Sequence, residues 1–171
     1  ISLYARTKME SERLLLALND KQFSPIILRF GTIYGMSPRP RFDLVINLLA
    51  AQAICEKQIK IYGGNQWRPF IHVDDAAEAI IKCLEAPIHA VKGQIFNVGC
   101  DEQNYRITQI GQIIKEIFPD VQVIHEGDET DKRNYRVSFE KIRKHLGFTA
   151  RRNVIDGILE IKTAIEAGRI K

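Results

Sequence analysis

The feature that most constrains the fold is a short apolar run at residues 25–30 (Pro-Ile-Ile-Leu-Arg-Phe), followed by the segment 31–35, which begins and ends with glycine. A run of this length that stops at a glycine is typical of a strand buried on both faces. The residues before it, from about 2 to about 19, carry leucines and charges at helical spacing. Buried strands that alternate with helices form parallel sheets, so we expect an α/β protein.

The remaining residues continue this alternation of helical and extended patterns. Asp74 or Asp75 is expected to cap a helix whose buried stripe is Ala76, Ala79, Ile80, Cys83 and Leu84. We expect a loop at 31–35 and an acidic loop at 126–131. Further helices are predicted at 42–56, 74–86, 108–118, 138–147 and 153–167, and extended pieces at 60–62, 69–73, 94–99, 121–125 and 135–137.

Two residues of the first helix, Tyr4 and Lys8, stand four positions apart, so both side chains project from the same helix face. A tyrosine with an ordinary pKa of roughly 10 is a poor base at neutral pH, but a fixed positive charge beside it favours the phenolate. The pair is therefore a candidate for proton transfer. The alternative is an amphipathic helix that carries Tyr and Lys at this spacing by chance.

Composition excludes several classes of protein. The formal charge of +4 is mild and spread along the chain, whereas a nucleic-acid surface needs a concentrated basic stripe. No run of about 18 apolar residues and no signal-peptide pattern occurs, so we expect a cytoplasmic protein without membrane contact. Cys55, Cys83 and Cys100 are widely spaced and are expected to be free thiols.

His72 and the pair Asp74-Asp75 raise the question of a metal or an acid–base centre. A histidine within a strand and aspartates at a helix start explain these residues without a metal. No metal site is predicted.

Five segments, in this order, resemble one family, the extended short-chain dehydrogenase/reductases that modify nucleotide sugars as epimerases, dehydratases, decarboxylases or reductases. The segments are Tyr4-x-x-x-Lys8, 28–35 (Leu-Arg-Phe-Gly-Thr-Ile-Tyr-Gly), 68–75 (Arg-Pro-Phe-Ile-His-Val-Asp-Asp), 96–99 (Phe-Asn-Val-Gly), and 131–137 (Asp-Lys-Arg-Asn-Tyr-Arg-Val) with Lys141-Ile142 and 146–148 after it. Together they span nearly the whole chain. The resemblance implies a Rossmann-type α/β fold.

The resemblance also implies a mechanism that uses NAD as cofactor, with NADP as the alternative. Tyr4 would accept the proton of a sugar hydroxyl while a hydride leaves the same carbon. Lys8 would assist Tyr4 and hold the nicotinamide ribose. The end of the buried strand would lie beside the nicotinamide, through Phe30, Gly31, Thr32 and Ile33. Many relatives have Asn at the position of Gly31, so one sugar contact is expected to be absent.

Three residues match family positions that bind the nucleotide-diphosphate sugar. Arg68 and Arg133 would bind the diphosphate through paired hydrogen bonds, although Arg133 could instead belong to a surface ion pair. Asn47 would hydrogen-bond the substrate, or else be an exposed helical residue. Arg39 and Arg41 could reach the sugar or a partner subunit, but solvated loop charges are the preferred interpretation.

The chain begins at Ile1 without an initiator Met, and no G-x-G-x-x-G follows a strand. We therefore expect the C-terminal half of an enzyme whose other, Rossmann half holds the cofactor pyrophosphate. Residues 1–58 would be the end of the Rossmann domain with the catalytic helix. Residues 59–171 would be mainly the substrate-binding part, with an interleaved Rossmann strand and helix. The full-length protein is expected to be a homodimer, and this half alone to be inactive.

The first functional hypothesis is an NAD(P)-dependent epimerase of a nucleotide-diphosphate sugar. It is preferred to a 4,6-dehydratase or a reductase of the same family on the pattern of residues 68–73. A hypothesis from a different class is a non-catalytic protein that binds the cofactor or the sugar as a signal. Retention of both Tyr4 and Lys8 favours the enzyme.

Overall fold

The protein is described from a computed structural model, which covers residues 2–127 and 133–170. The elements, in chain order, are α1 (Leu3–Ala17), β1 (Ile27–Phe30), β2 (Thr32–Tyr34), α2 (Val45–Cys55), β3 (Gln58–Tyr62), β4 (Trp67–His72), α3 (Val73–Glu85), α4 (Ile88–Val91), β5 (Ile95–Val98), β6 (Asn104–Arg106), α5 (Ile107–Ile117), β7 (Gln122–Glu126), α6 (Glu140–Leu146) and α7 (Val154–Glu166). The predicted α/β alternation is confirmed.

Some predicted elements differ from those observed. The segment 31–35 is not a plain loop, because Thr32–Tyr34 forms β2 beside β4. Residues 135–137 form no strand. Val137 instead exchanges hydrogen bonds with the side chain of Asn104, at 2.9 and 3.0 Å. Residues 128–131 of the predicted acidic loop, and Asp131 and Lys132 of the fifth family segment, lie outside the described residues.

The strand pairing is mostly parallel, as expected for strands that are joined through helices. β1 pairs with β5, β2 with β4, and β3 with β7, all in parallel, while β4 pairs with β6 in antiparallel orientation. The extended pieces predicted at 60–62 and 69–73 therefore do not pair with each other. Each belongs to a different sheet.

Strand β4 separates two hydrophobic cores, one packed against each of its faces. Neighbouring strand residues point to opposite faces, so Phe70 packs into a core with α2, α5 and α7, while Ile71 packs into a core with α3, β5 and α6. β4 is thus buried on both faces, which is why the segment 69–72 is continuously apolar apart from His72.

Helix α3 starts differently from the prediction. Its N-cap is His72, whose Nδ1 accepts a hydrogen bond from the Asp74 backbone N–H at 3.2 Å, so neither aspartate is the cap. Asp75 is buried and accepts backbone N–H bonds from Arg151 and Arg152, both at 2.9 Å.

The apolar stripe predicted for α3 is also only partly buried. Ala76, Ala79 and Cys83 face the core, whereas Ile80 and Leu84 are 43% and 76% exposed. The helix packs along one narrow line of small residues, and the larger residues lie beside that line. The prediction of buried Ile80 and Leu84 was wrong.

Within the described ranges 2–127 and 133–170, no helix is both long enough and apolar enough to cross a membrane.

Candidate active site

A cleft of about 690 Å³ lies between α1, the β1–β2 connection and the N-terminal end of α2. It opens at the carboxyl end of β1, the edge at which parallel α/β sheets bind ligands. Seven of the residues predicted for the site line this one cleft: Tyr4, Lys8, Phe30, Gly31, Thr32, Ile33 and Asn47. The fold therefore brings the proposed catalytic pair and the proposed nicotinamide contacts together.

Tyr4 and Lys8 lie in the first two turns of α1. The Ser2 hydroxyl caps the helix by accepting the Ala5 backbone N–H at 3.2 Å. The Lys8 ammonium lies 5.8 Å from the centroid of the Tyr4 ring, so the predicted same-face arrangement is confirmed. Tyr4 lines the cleft and is 70% exposed.

An ion pair that the sequence interpretation missed joins α1 to β1. Arg29 donates from Nε to both carboxylate oxygens of Glu12, at 2.9 and 3.1 Å, and from Nη2 to Oε2. The Arg29 hydrogen bonds hold the pKa of Glu12 below its ordinary value, although partial burial opposes this. No residue of α1 is buried within the described chain, so this pair is a principal link between the helix and the sheet.

Asn47 lines the cleft and fixes the loop beside it through its side-chain hydrogen bonds. It is buried, and its Oδ1 accepts the Gly35 backbone N–H at 3.0 Å while its Nδ2 donates to the carbonyls of Gly35 and Arg41. Gly35 has φ +98°, and a Cβ there would lie 2.3 Å from His72 Nε2, so the turn requires glycine. The alternative of an exposed helical Asn47 is wrong. A substrate contact would use the second lone pair of Oδ1.

Gly31 lies where β1 passes into β2 beside β4. A Cβ at this position would lie 3.2 Å from the carbonyl carbon and oxygen of Pro69. The missing side chain thus allows the two backbones to approach closely, which gives a structural reason for glycine at this position.

The two loop arginines differ in their surroundings. Arg41 forms an exposed ion pair with Asp43 at 2.6 Å, and Arg39 is exposed at the rim of the same cleft. Arg41 also lines the cleft and interacts electrostatically with Tyr4, so its two interpretations, a surface charge and a sugar contact, stay predictions.

Arg68 and Arg133 contact each other, and neither of them lines this cleft. Arg68 is buried and donates from Nη1 to the carbonyls of Trp67 and Arg133, and its guanidinium lies 5.6 Å from the Tyr135 ring centroid. It lines a pocket of about 160 Å³ with Leu48 and Tyr62. The sequence offered no sign of these backbone contacts. Helix α2 borders both cavities, because Asn47 lines the cleft while Val45, Leu48 and Leu49 line the smaller pocket.

Polar side chains behind the cleft were also missed. Nε2 of buried His72 lies 2.9 Å from Glu160 Oε2, and Tyr34 donates to Gln103 Oε1 at 2.7 Å. Burial raises the pKa of Tyr34, so it remains a neutral donor. Oxygen and nitrogen atoms of His72, Asp74 and Glu160 approach within 4.8 Å of one another, but both ring nitrogens of His72 are already in hydrogen bonds.

Comparison with known proteins identifies the family. A sequence model described as the NAD dependent epimerase/dehydratase family matches residues 1–99, more than half of the 171 residues. The chain is 28% identical over 162 residues to YtcB of Bacillus subtilis strain 168, named as an uncharacterized UDP-glucose epimerase, covering 92% of this chain and 50% of that protein. It is 28% identical over 170 residues to the dTDP-L-rhamnose 4-epimerase of Burkholderia thailandensis, covering 96% of this chain and 46% of that protein.

The fold is also found in solved structures. The UDP-glucuronic acid 4-epimerase of Bacillus cereus, solved in complex with UDP-glucuronic acid and NAD, matches with a TM-score of 0.81 at 22% identity, covering 96% of this chain and 52% of that one. The chain spans about half the length of these relatives. By sequence and by fold, the chain belongs to the NAD-dependent epimerase/dehydratase family of extended short-chain dehydrogenase/reductases.

Proposed function

We propose that this chain is the part of an NAD(P)-dependent nucleotide-sugar epimerase that carries the catalytic pair and the substrate contacts. The observation that supports it is the cleft in which Tyr4 and Lys8 meet the end of β1 at Phe30–Ile33. An epimerase is preferred to a 4,6-dehydratase or a reductase on the pattern of residues 68–73, and two relatives at 28% identity are named as epimerases. Other relatives over similar ranges are named as a decarboxylase and a 4,6-dehydratase.

The cleft suits the nicotinamide end of the cofactor. Leu28, Phe30 and Ile33 offer an apolar wall for a flat ring, and Lys8 offers an ammonium group for ribose hydroxyls. When bound there, NAD supplies a hydride acceptor beside the sugar. The pyrophosphate would be held by a glycine-rich loop in a further part of the enzyme.

In this proposal Tyr4 removes the proton from the sugar hydroxyl at the carbon that is oxidised. The Lys8 ammonium stabilises the phenolate that this role requires. Asn47 both supports the Gly35 turn and presents its remaining lone pair to a sugar hydroxyl.

The substrate diphosphate is assigned to Arg68 and Arg133 because both match family positions, and Arg68 donates a hydrogen bond to the Arg133 backbone carbonyl. Residues 1–58 are assigned to the end of the dinucleotide-binding domain and residues 59–171 mainly to the substrate-binding part. A homodimer is proposed for the full-length enzyme.

The test of the proposal is Tyr4→Phe in the full-length protein. The change removes one hydroxyl from an exposed side chain, so folding should be preserved while turnover of the nucleotide sugar falls by about 10²-fold or more. The rate is measured as epimer formation, with UDP-glucose and dTDP-L-rhamnose as the first substrates.

The matched control is Met9→Ala on the same helix, at an exposed residue that does not line the cleft. It should keep the wild-type rate. Unchanged turnover in Tyr4→Phe would contradict the proposed mechanism.

A further inference from the structure

We propose that Arg29 is a positioning residue for catalysis, which holds the Glu12 carboxylate so that the Lys8 ammonium stays beside Tyr4. This inference rests on the proposed function, because it concerns the same catalytic pair. It assigns a role to the ion pair between Arg29 and Glu12, which are 17 residues apart in the sequence. Neither of these two residues takes part in the proton transfer itself.

The argument begins with the spacing along α1. Tyr4, Lys8 and Glu12 follow one another at intervals of four residues, so all three lie on one helix face, and all three line the cleft. Lys8 therefore has Tyr4 one turn before it and Glu12 one turn after it, each at a Cβ distance of about 5–6 Å. Its flexible side chain can turn towards either neighbour.

The observed arrangement resolves this competition. Lys8 lies over the Tyr4 ring, while Glu12 receives three contacts from the Arg29 guanidinium. A guanidinium matches a carboxylate with two parallel N–H bonds, which a lysine cannot do. The lowered pKa of Glu12, caused first by the Arg29 hydrogen bonds, agrees with a carboxylate held mainly by Arg29.

The burial of the two partners shows what removal of Arg29 would do. The Glu12 side chain is only 19% exposed, whereas that of Arg29 is 52% exposed. Without Arg29, this partly buried carboxylate would lose its three hydrogen bonds and would attract another cation within reach. Lys8 is the cation one turn away on the same helix face, whereas Arg13, the next residue along the chain, pairs with Glu10.

The other charges around the cleft do not compete for Lys8. Among the described residues that line the cleft, Glu12 is the one carboxylate. The loop contributes Arg39 and Arg41, which are cationic, and Arg41 is paired with Asp43. Helices α2 and α3 contribute Asn47 and Val73, which carry no charge. Arg41 also interacts electrostatically with Tyr4, but its guanidinium is held by Asp43. Glu12 is therefore the group that decides whether the Lys8 ammonium stays beside Tyr4.

The test compares Arg29→Gln, Glu12→Gln and the double variant in the full-length enzyme with NAD. In Arg29→Gln we expect the acidic limb of the kcat/KM profile to move to higher pH by about one unit, with roughly a tenfold loss near neutral pH. Glu12→Gln and the double variant lose the competing carboxylate, so their acidic limbs should stay at the wild-type position. Each of the three variants breaks the ion pair between α1 and β1. A loss of rate that comes only from a loosened α1 should therefore appear in all three.

Three results would overturn the inference. If all three variants lose activity to the same extent and the acidic limb of the kcat/KM profile does not move, the Arg29–Glu12 pair only anchors the helix. If the limb moves in the double variant as in Arg29→Gln, Arg29 acts without Glu12. If no variant differs from wild type, Arg29 has no part in positioning. The matched control is Arg13→Gln, which breaks an exposed pair with Glu10 at 3.3 Å on the same helix and should leave the profile unchanged.

A second readout separates this inference from the proposed function. The ultraviolet absorbance of Tyr4 phenolate is obtained as the difference between each variant and the same variant carrying Tyr4→Phe, titrated without substrate. Phenolate should appear at higher pH in Arg29→Gln and at the wild-type pH in the double variant. If the enzyme turns over no nucleotide sugar, the proposed function fails, and this titration alone decides the role of Arg29.

Discussion

Among single residues, Asp75 carries one of the clearest structural roles. Its buried carboxylate accepts the backbone N–H groups of Arg151 and Arg152, both at 2.9 Å, and so fixes the segment before α7 to the start of α3. Asp75→Ala would leave two N–H groups without their charged acceptor, and we expect the free energy of unfolding to fall by about 3 kcal/mol. Urea denaturation measures the change.

The neighbouring residue offers the matched control. Asp74 has a side chain that is 60% exposed and lies 3.5 Å from an Arg152 nitrogen, so Asp74→Ala should cost less than about 1 kcal/mol. Equal losses in the two variants would show that the carboxylate of Asp75 has no special role.

At the level of elements, two glycines show how closely the helices pack. A Cβ at Gly157 in α7 would lie 2.5 Å from Cδ2 of Tyr34, a buried ring held by its hydrogen bond to Gln103. A Cβ at Gly111 in α5 would lie 2.3 Å from Ile61 Cδ1, the end of a flexible side chain beside a groove of about 620 Å³. The first neighbour is a rigid ring held by a hydrogen bond, whereas the second contact is with a terminal methyl group, which a change of χ2 rotamer can move.

We therefore expect opposite tolerance to the same change. Gly157→Ala should lower the free energy of unfolding by about 2 kcal/mol, because overpacking exceeds the gain in helix propensity. Gly111→Ala should change it by less than about 1 kcal/mol. Thermal or urea unfolding of the two variants tests this, and a stabilised Gly157→Ala would contradict the packing argument.

At the level of the whole molecule, the chain has two cores but spans about half the length of its relatives. Its cleft has groups that suit the nicotinamide end of NAD, while no glycine-rich phosphate loop occurs in its sequence. We expect residues 1–171 alone to bind NAD weakly and to turn over no substrate. Isothermal titration calorimetry with NAD checks this, with the full-length enzyme as the positive control. Tight binding to the isolated chain would contradict the expectation.

Much of the fold and part of the site could be predicted because they depend on local patterns. The helical face shared by Tyr4 and Lys8 follows from their spacing, and the cleft at the end of β1 follows from an apolar run stopped by glycine. The buried state of Asn47 could not be predicted, because its partners Gly35 and Arg41 lie on a loop whose course depends on packing. The roles of Tyr4, Lys8, Asn47, Arg68 and Arg133 in catalysis and binding stay predictions.

The sequence by itself determined the alternation of helices and strands and the positions of the catalytic candidates along it, since periodicity and turn residues act over a few neighbours. Tertiary structure alone decided which distant groups meet. Arg29 reaches Glu12 across 17 residues, and His72 reaches Glu160 across 88. The physical reason is that a charged or polar side chain can satisfy its hydrogen bonds with many partners, and only the packed chain selects one of them.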